Sequence, residues 1–272
     1  MVTDFIYNDN KLSDFGYALV SFDGIKDGEI DTDSQFSFNH ISMMRGKKQP
    51  FITSTYDDPL EMEFYIAKNW CLFEEDNDMY KNSYNISVSE MAFLKRWLVS
   101  PTPHKLMAIG EGYEGIFWNG SFNVEEYTLG DGRIGAHLTF ECDAPFGYYG
   151  GIIYKGTLDT DKTYKYNCIS DEVGWLYPNL TITVNEDGDL ELTNSFDGRK
   201  TIIKNCTQGE KITFSEYLQV TTSDVNHKIA DDFNYVFYRI GNDYNNVENT
   251  LESNLSIDFT IEYNPIAKVV IV

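Results

Sequence analysis

Apolar and polar positions alternate with a period of two over much of this chain, the pattern of strands buried on one face. The longest run places Leu255, Ile257, Phe259, Ile261 and Tyr263 against Ser256, Asp258, Thr260 and Glu262. Residues 60–66 repeat the pattern, with Met62, Phe64 and Ile66 set against Glu61, Glu63 and Tyr65. Leu180, Ile182 and Val184 alternate with threonines, and the turn residues Asn185, Glu186, Asp187 and Gly188 lead to Leu190 and Leu192, which predicts a hairpin. Turn pairs Asp197-Gly198 and Gln208-Gly209 separate strands at 201–204, 211–214 and 218–222, and residues 268–272 supply a last strand. Strands this densely spaced predict a sandwich or jelly roll.

The first half carries the same signals less evenly. Residues 4–23 read as a hairpin around Asn8-Asp9-Asn10, with Gly16 marking a bulge. Strands are expected at 36–41, 51–56, 117–124 and 134–140, the last two joined through Gly130, Asp131 and Gly132. One segment departs from the period of two. Ser87 and Glu90 have capping-box spacing, Ile86 and Met91 can form a hydrophobic staple, and Pro101 limits extension, so a helix is predicted over residues 87–99. Its Met91, Phe93, Leu94, Trp97 and Leu98 share one apolar arc that should pack on a sheet. Residues 72–85 are acidic without periodicity and read as a solvated loop, and residues 146–177 are less regular and suit a crossing between domains.

A length of 272 residues suggests two domains, divided here as 1–147 and 148–272. With 19 Tyr and 18 Phe the composition favours half-buried pleated surfaces, so the fold class is mainly β. The formal net charge of -22 opposes stable nucleic-acid binding, whose affinity comes from cationic side chains displacing counterions. No apolar run is long enough to insert in a membrane, and Met1-Val2-Thr3-Asp4 does not begin a secretion signal, so synthesis in the cytoplasm is expected. Cys71, Cys142, Cys168 and Cys206 are scattered, which favours reduced, buried thiols. His40, His104, His137 and His227 lack metal-ligand spacing and read as isolated or hydrogen-bonded imidazoles.

In their order, these segments resemble the distal tail protein family of long-tailed, siphovirus-like bacteriophages. The resemblance rests on FIYNDNKLSDFGYALVSFDG at the start, Phe93-Leu94-Lys95-Arg96-Trp97-Leu98 with Lys105-Leu106, and the closing LTFECDAPFGYY. It continues through LYPNLTITVNEDGDLELTNSFDGRKTIIKNCTQGEKITFSEYLQVTTS and LSIDFTIEY. It implies an N-terminal β-sandwich belt domain with one α-helix, and a C-terminal galectin-like or carbohydrate-binding-module-like β-sandwich. It further implies a structural, non-enzymatic protein of the virion tail tip, forming a homohexameric ring that joins the tail tube to the tip or baseplate and the adsorption apparatus. The implied partners are other copies of the chain, the tail tube protein, a tail-associated central tip protein and, in many phages, receptor-binding proteins.

The alternative is a carbohydrate-binding adhesin module that contacts the host surface. Exposed aromatic rings stack on sugars, and Trp175, Tyr177 and Tyr244 are the candidates for that role. The set of His, Asn, Arg, Trp and Glu motifs with which galectins bind galactosides is missing, so the implied fold does not carry that activity with it. Carboxylate pairs at Asp57-Asp58 and Asp231-Asp232 superficially suit a glycosidase, and Asp187-Gly188-Asp189 or Asp159-Thr160-Asp161 suit calcium. Polar turns explain all four, so no catalytic residue, cofactor site or metal site is assigned.

Overall fold

The computed structural model describes residues 2–22, 36–41, 51–56, 59–69, 84–160, 162–243, 245–269 and 271, with backbone alone for 36–41 and 51–56. Cys71, Asp57, Asp58, Asp161, Tyr244 and the acidic loop, apart from Tyr84 and Asn85, fall outside them. The chain divides into two compact units, Met1–Tyr148 with Lys268–Val272, and Tyr149–Ala267.

In the first unit β1 (Val2–Tyr7) and β2 (Asn10–Lys11) pair through a two-residue turn. Asn8 and Asp9 take φ of 49° and 61° there, as the favoured hairpin turn demands. Gly16 is not a bulge. Residues Leu12–Phe15 form a 3-10 turn that buries Leu12, and Gly16, at φ 79°, closes it by donating its N–H to the Ser13 carbonyl. There follow β3 (Tyr17–Leu19), β4 (Phe36–Ile41), β5 (Phe51–Tyr56), β6 (Glu61–Lys68), helix α1 (Val88–Leu98), β7 (His104–Gly110), β8 (Ile116–Leu129), β9 (Gly132–Cys142) and β10 (Gly147–Tyr149). The main sheet runs β2-β1-β7-β8-β9-β6-β3, while β4 and β5 form their own antiparallel ribbon. Met62, Phe64 and Ile66 of β6 face inward with Ala136, Leu138 and Phe140 of β9, as the alternation predicts.

Helix α1 starts where the capping box places it. The Ser87 hydroxyl accepts the Glu90 amide and the Glu90 carboxylate accepts the Ser87 amide, at 3.3 and 2.7 Å. Met91, Leu94 and Leu98 are buried; Trp97 packs on Phe15 and donates its indole N–H to the Tyr7 carbonyl at 3.1 Å. Phe93 lies at the rim of the arc, edge-on to Phe15. Ser87→Ala should cost about 1 kcal/mol of stability, the usual worth of a capping side chain, measured as a shift in urea denaturation.

The second unit holds β11 (Ile152–Leu158), β12 (Thr163–Asn167), β13 (Gly174–Leu176), β14 (Asn179–Val184), β15 (Gly188–Thr193), β16 (Lys200–Cys206), β17 (Lys211–Ser215) and β18 (Gln219–Thr222). The short helix α2 (Ile229–Asp232) precedes β19 (Ile240–Asn242), β20 (Glu248–Ser253), β21 (Ile257–Tyr263) and β22 (Ile266–Ala267). A sheet β11-β21-β14-β17-β18 and a sheet β12-β20-β15-β16 share one core that includes Leu180, Ile182, Leu190, Leu192, Ile212, Leu251 and Ile261. This is a β-sandwich.

Three expectations change here. Strands β14 and β15 are not a hairpin: β14 pairs with β17 and β21, and β15 with β16 and β20, so residues 185–187 cross between the sheets. Alternation reports which face is buried, not which neighbour completes the ladder. Residues 146–177 are regular, supplying β10, β11, β12 and β13. The last pairing falls at Ile266–Ala267; the described residues beyond it, Lys268, Val269 and Ile271, form no strand.

Candidate functional site

In the first unit the most prominent surface feature is the β8–β9 hairpin. Inward alternation on β8 stops at Phe122, and Glu125, Glu126, Thr128 and Leu129 then face solvent. Leu129, at the hairpin tip, is 73% exposed. Glu126 receives Arg133 at 2.5 Å and Lys95 at 3.2 Å, which ties the hairpin to α1. Those two cations hold its carboxyl below the usual glutamate range.

In the second unit the ribbon of β13 and β19 carries the predicted aromatic residues. Trp175 lies opposite Gly241 and is 42% exposed. Phe196 packs edge-on to Trp175 and fills the space above Gly241, where a Cβ would come within 2.2 Å of its ring. The Arg239 guanidinium carbon lies over the indole, 3.6 Å from the ring centroid, and its Nε donates to Asp197 at 2.7 Å. Tyr177 is half-buried, two residues after Trp175 and just beyond the paired residues. Tyr244 lies outside the described residues.

Buried amides hold this ribbon to the sandwich. Asn249 accepts the Gly241 amide and donates to the Gly241 carbonyl, both at 2.8 Å, while Asn194 donates to the Arg239 carbonyl at 2.9 Å. Both side chains satisfy backbone groups that burial would otherwise penalise.

Four of the candidate acidic side chains, Asp159, Asp187, Asp189 and Asp232, have structural partners. Asp187 accepts the Gln208 amide, Asp189 the Asn205 amide, and Asp159 pairs with Lys162. Asp232 accepts the Asn205 side-chain amide at 3.0 Å and faces His227 Nε2 at 3.4 Å. His227 Nδ1 meets Glu210 Oε1 at 2.6 Å, and both side chains are almost wholly buried. Burial alone would push the Glu210 carboxyl up. The Thr222 hydroxyl, the Thr207 amide and His227 together outweigh it and hold that carboxyl below the ordinary range. Among the described residues no three metal-ligating side chains converge. Cys142, Cys168 and Cys206 are buried free thiols, and burial pushes Cys142 and Cys206 up to about 12.

Two arrangements escape the sequence reading. Arg239 and Trp175 are far apart in the chain and meet only through the β13–β19 register. Glu210 and His227 are joined by the folding of β17 and β18 between them. No local spacing announces either.

Both units match family models of phage tail proteins. A model described as the phage tail protein N-terminal domain matches residues 1–144, and one described as the phage tail C-terminal domain matches residues 146–263. The chain belongs to this family of phage tail proteins. Among solved structures it is similar to the Dit protein of SPP1, described as a paradigm of the hub adsorption apparatus in phages infecting Gram-positives. The TM-score is 0.63 over 97% of this chain and 99% of that one, at 11% identity, a likeness of fold. No curated protein matches the chain. The distal tail resemblance read from the sequence is thus met in family and in fold.

Proposed function

We propose that the chain is the distal tail protein of its phage, a structural and non-catalytic hub that closes into a homohexameric ring between tail tube and tail tip. The observation that carries this reading is the pairing of tail-protein family matches in both units with a hub-protein fold along nearly the whole chain. Its partners are further copies of itself, the tail tube protein, the central tip protein and, where the tail carries them, receptor-binding proteins. A closed ring needs a heterologous contact whose rotation divides a full turn, and the β8–β9 hairpin offers an apolar tip for it. Native mass spectrometry and light scattering of the purified chain test the ring, and mass spectrometry of virions tests its place. A monomer under every assembly condition, absent from particles, defeats the reading.

Leu129→Asp tests the hairpin contact. Burying a leucine is worth about 1.5–3 kcal/mol, so assembly should weaken about tenfold or more. The circular dichroism spectrum should not change, because Leu129 does not belong to the folded core.

The second reading, a sugar-contacting adhesin, is favoured by the exposed indole of Trp175, with Tyr177 and Tyr244 as further candidates. A glycan array probed with the full chain tests it, and lack of binding to every glycan counts against it.

A further inference from the structure

We infer that Arg239 and Trp175 form a preorganised site for an anionic saccharide, its charge carried by a carboxylate or a phosphate. The site deepens the adhesin reading and does not depend on ring assembly. The guanidinium is fixed before any ligand arrives. Trp175 supports it from one side at 3.6 Å, Asp197 holds Nε at 2.7 Å, and Asn194 holds the Arg239 backbone carbonyl. Fixing the side chain in advance removes much of the entropy cost of immobilising an arginine on binding.

What remains uncommitted is the recognising edge. Among the described residues the two terminal nitrogens of Arg239 have no protein partner, and neither does the Trp175 indole N–H. The Arg239 side chain is 19% exposed, and its Nη pair offers a planar fork that matches the two oxygens of a carboxylate or phosphate. The indole beside it is 42% exposed, giving apolar surface for the C–H groups of a sugar ring and a donor for a hydroxyl. Tyr177, two residues after Trp175, adds a hydroxyl without a partner among the described residues.

A saccharide fits better than an acidic peptide. A single cation beside a single exposed indole contacts one charged ring, and among the described residues no second cation contacts Trp175. Asp197 does not abolish the site, because it occupies Nε and the Arg199 amide and leaves the Nη edge free.

The test is a titration of the full chain, followed by the Trp175 indole N–H resonance, which Trp175→Phe assigns. The probes are trigalacturonate, a phosphodiester-linked glucose dimer and neutral trigalactose. Binding of one or both anionic probes at least tenfold tighter than trigalactose is expected, and which of them binds identifies the anion. Arg239→Gln should weaken that binding about tenfold, the worth of one charge-assisted fork. Arg239→Lys, which keeps the charge and the Asp197 pair, guards against a folding defect and should recover only part of the affinity. Equal binding of charged and neutral probes overturns the proposal while leaving a sugar-binding unit. No binding of any probe overturns the proposal, and the glycan array then decides the adhesin reading separately.

Discussion

Replacing Glu210 by alanine is expected to destabilise the second unit by about 1–3 kcal/mol for each buried hydrogen-bonding group left without its partner. The loss comes less from the missing attraction than from what stays behind. His227, only 3% exposed at its side chain, keeps Asp232 at 3.4 Å but loses its 2.6 Å partner, and the Thr207 amide loses its acceptor. Glu210→Gln should cost less, since an amide oxygen can still accept from Thr207 and Thr222. The pH dependence has a definite sign. A carboxyl whose pKa is lower in the folded than in the unfolded state adds stability above the ordinary glutamate pKa. That contribution is lost as pH falls through the depressed folded value. Urea denaturation of wild type and Glu210→Gln at a series of pH values should therefore show a gap that is full near neutrality and shrinks in acid. A gap that widens on acidification refutes the arrangement.

The first unit should be most sensitive at Trp118. Trp118→Ala is expected to cost about 3–5 kcal/mol, as for other fully buried large aromatic residues. The indole fills space that cannot collapse easily, because Gly147 already lies so close that a Cβ there would sit 2.6 Å from Nε1. The same nitrogen donates to the Val269 carbonyl at 3.1 Å and so holds the returning end of the chain. Trp118→Phe should retain much of the packing but free that carbonyl. Denaturation should separate the two variants by more than 1 kcal/mol, and amide hydrogen exchange around Val269 should be faster in both than in wild type.

The strands were legible wherever one face is buried and the other wet. The alternation at 61–66 and 257–263 sends Met62, Phe64, Ile66, Ile257, Phe259 and Ile261 into cores. Helix α1 was legible because its stop and start are local chemistry, Ser87 with Glu90 and the proline at 101. Gly16 misled because a glycine at positive φ serves a bulge and a helix end equally well. The hairpin expected from β14 to β15 failed for a different reason. A turn-rich link of three residues can reverse the chain within one sheet or carry it across a sandwich, and only the distant strands β17, β20 and β21 decide which. Trp175 and Tyr177 were legible only as aromatic candidates in a stretch read as irregular, whereas Arg239, which lies over Trp175, is brought in from the far side of the unit's sequence.

The Tyr149 amide donates to the Pro265 carbonyl at 2.8 Å, so the sandwich begins and ends at adjacent points of its own backbone, and residues 268–272 rejoin the unit that precedes it. A module with neighbouring ends is a removable cassette. It can be shortened, exchanged or replaced by a brief linker while its host keeps both of its chain segments. The surface that such a module presents can thereby change without redesign of the unit into which it is set.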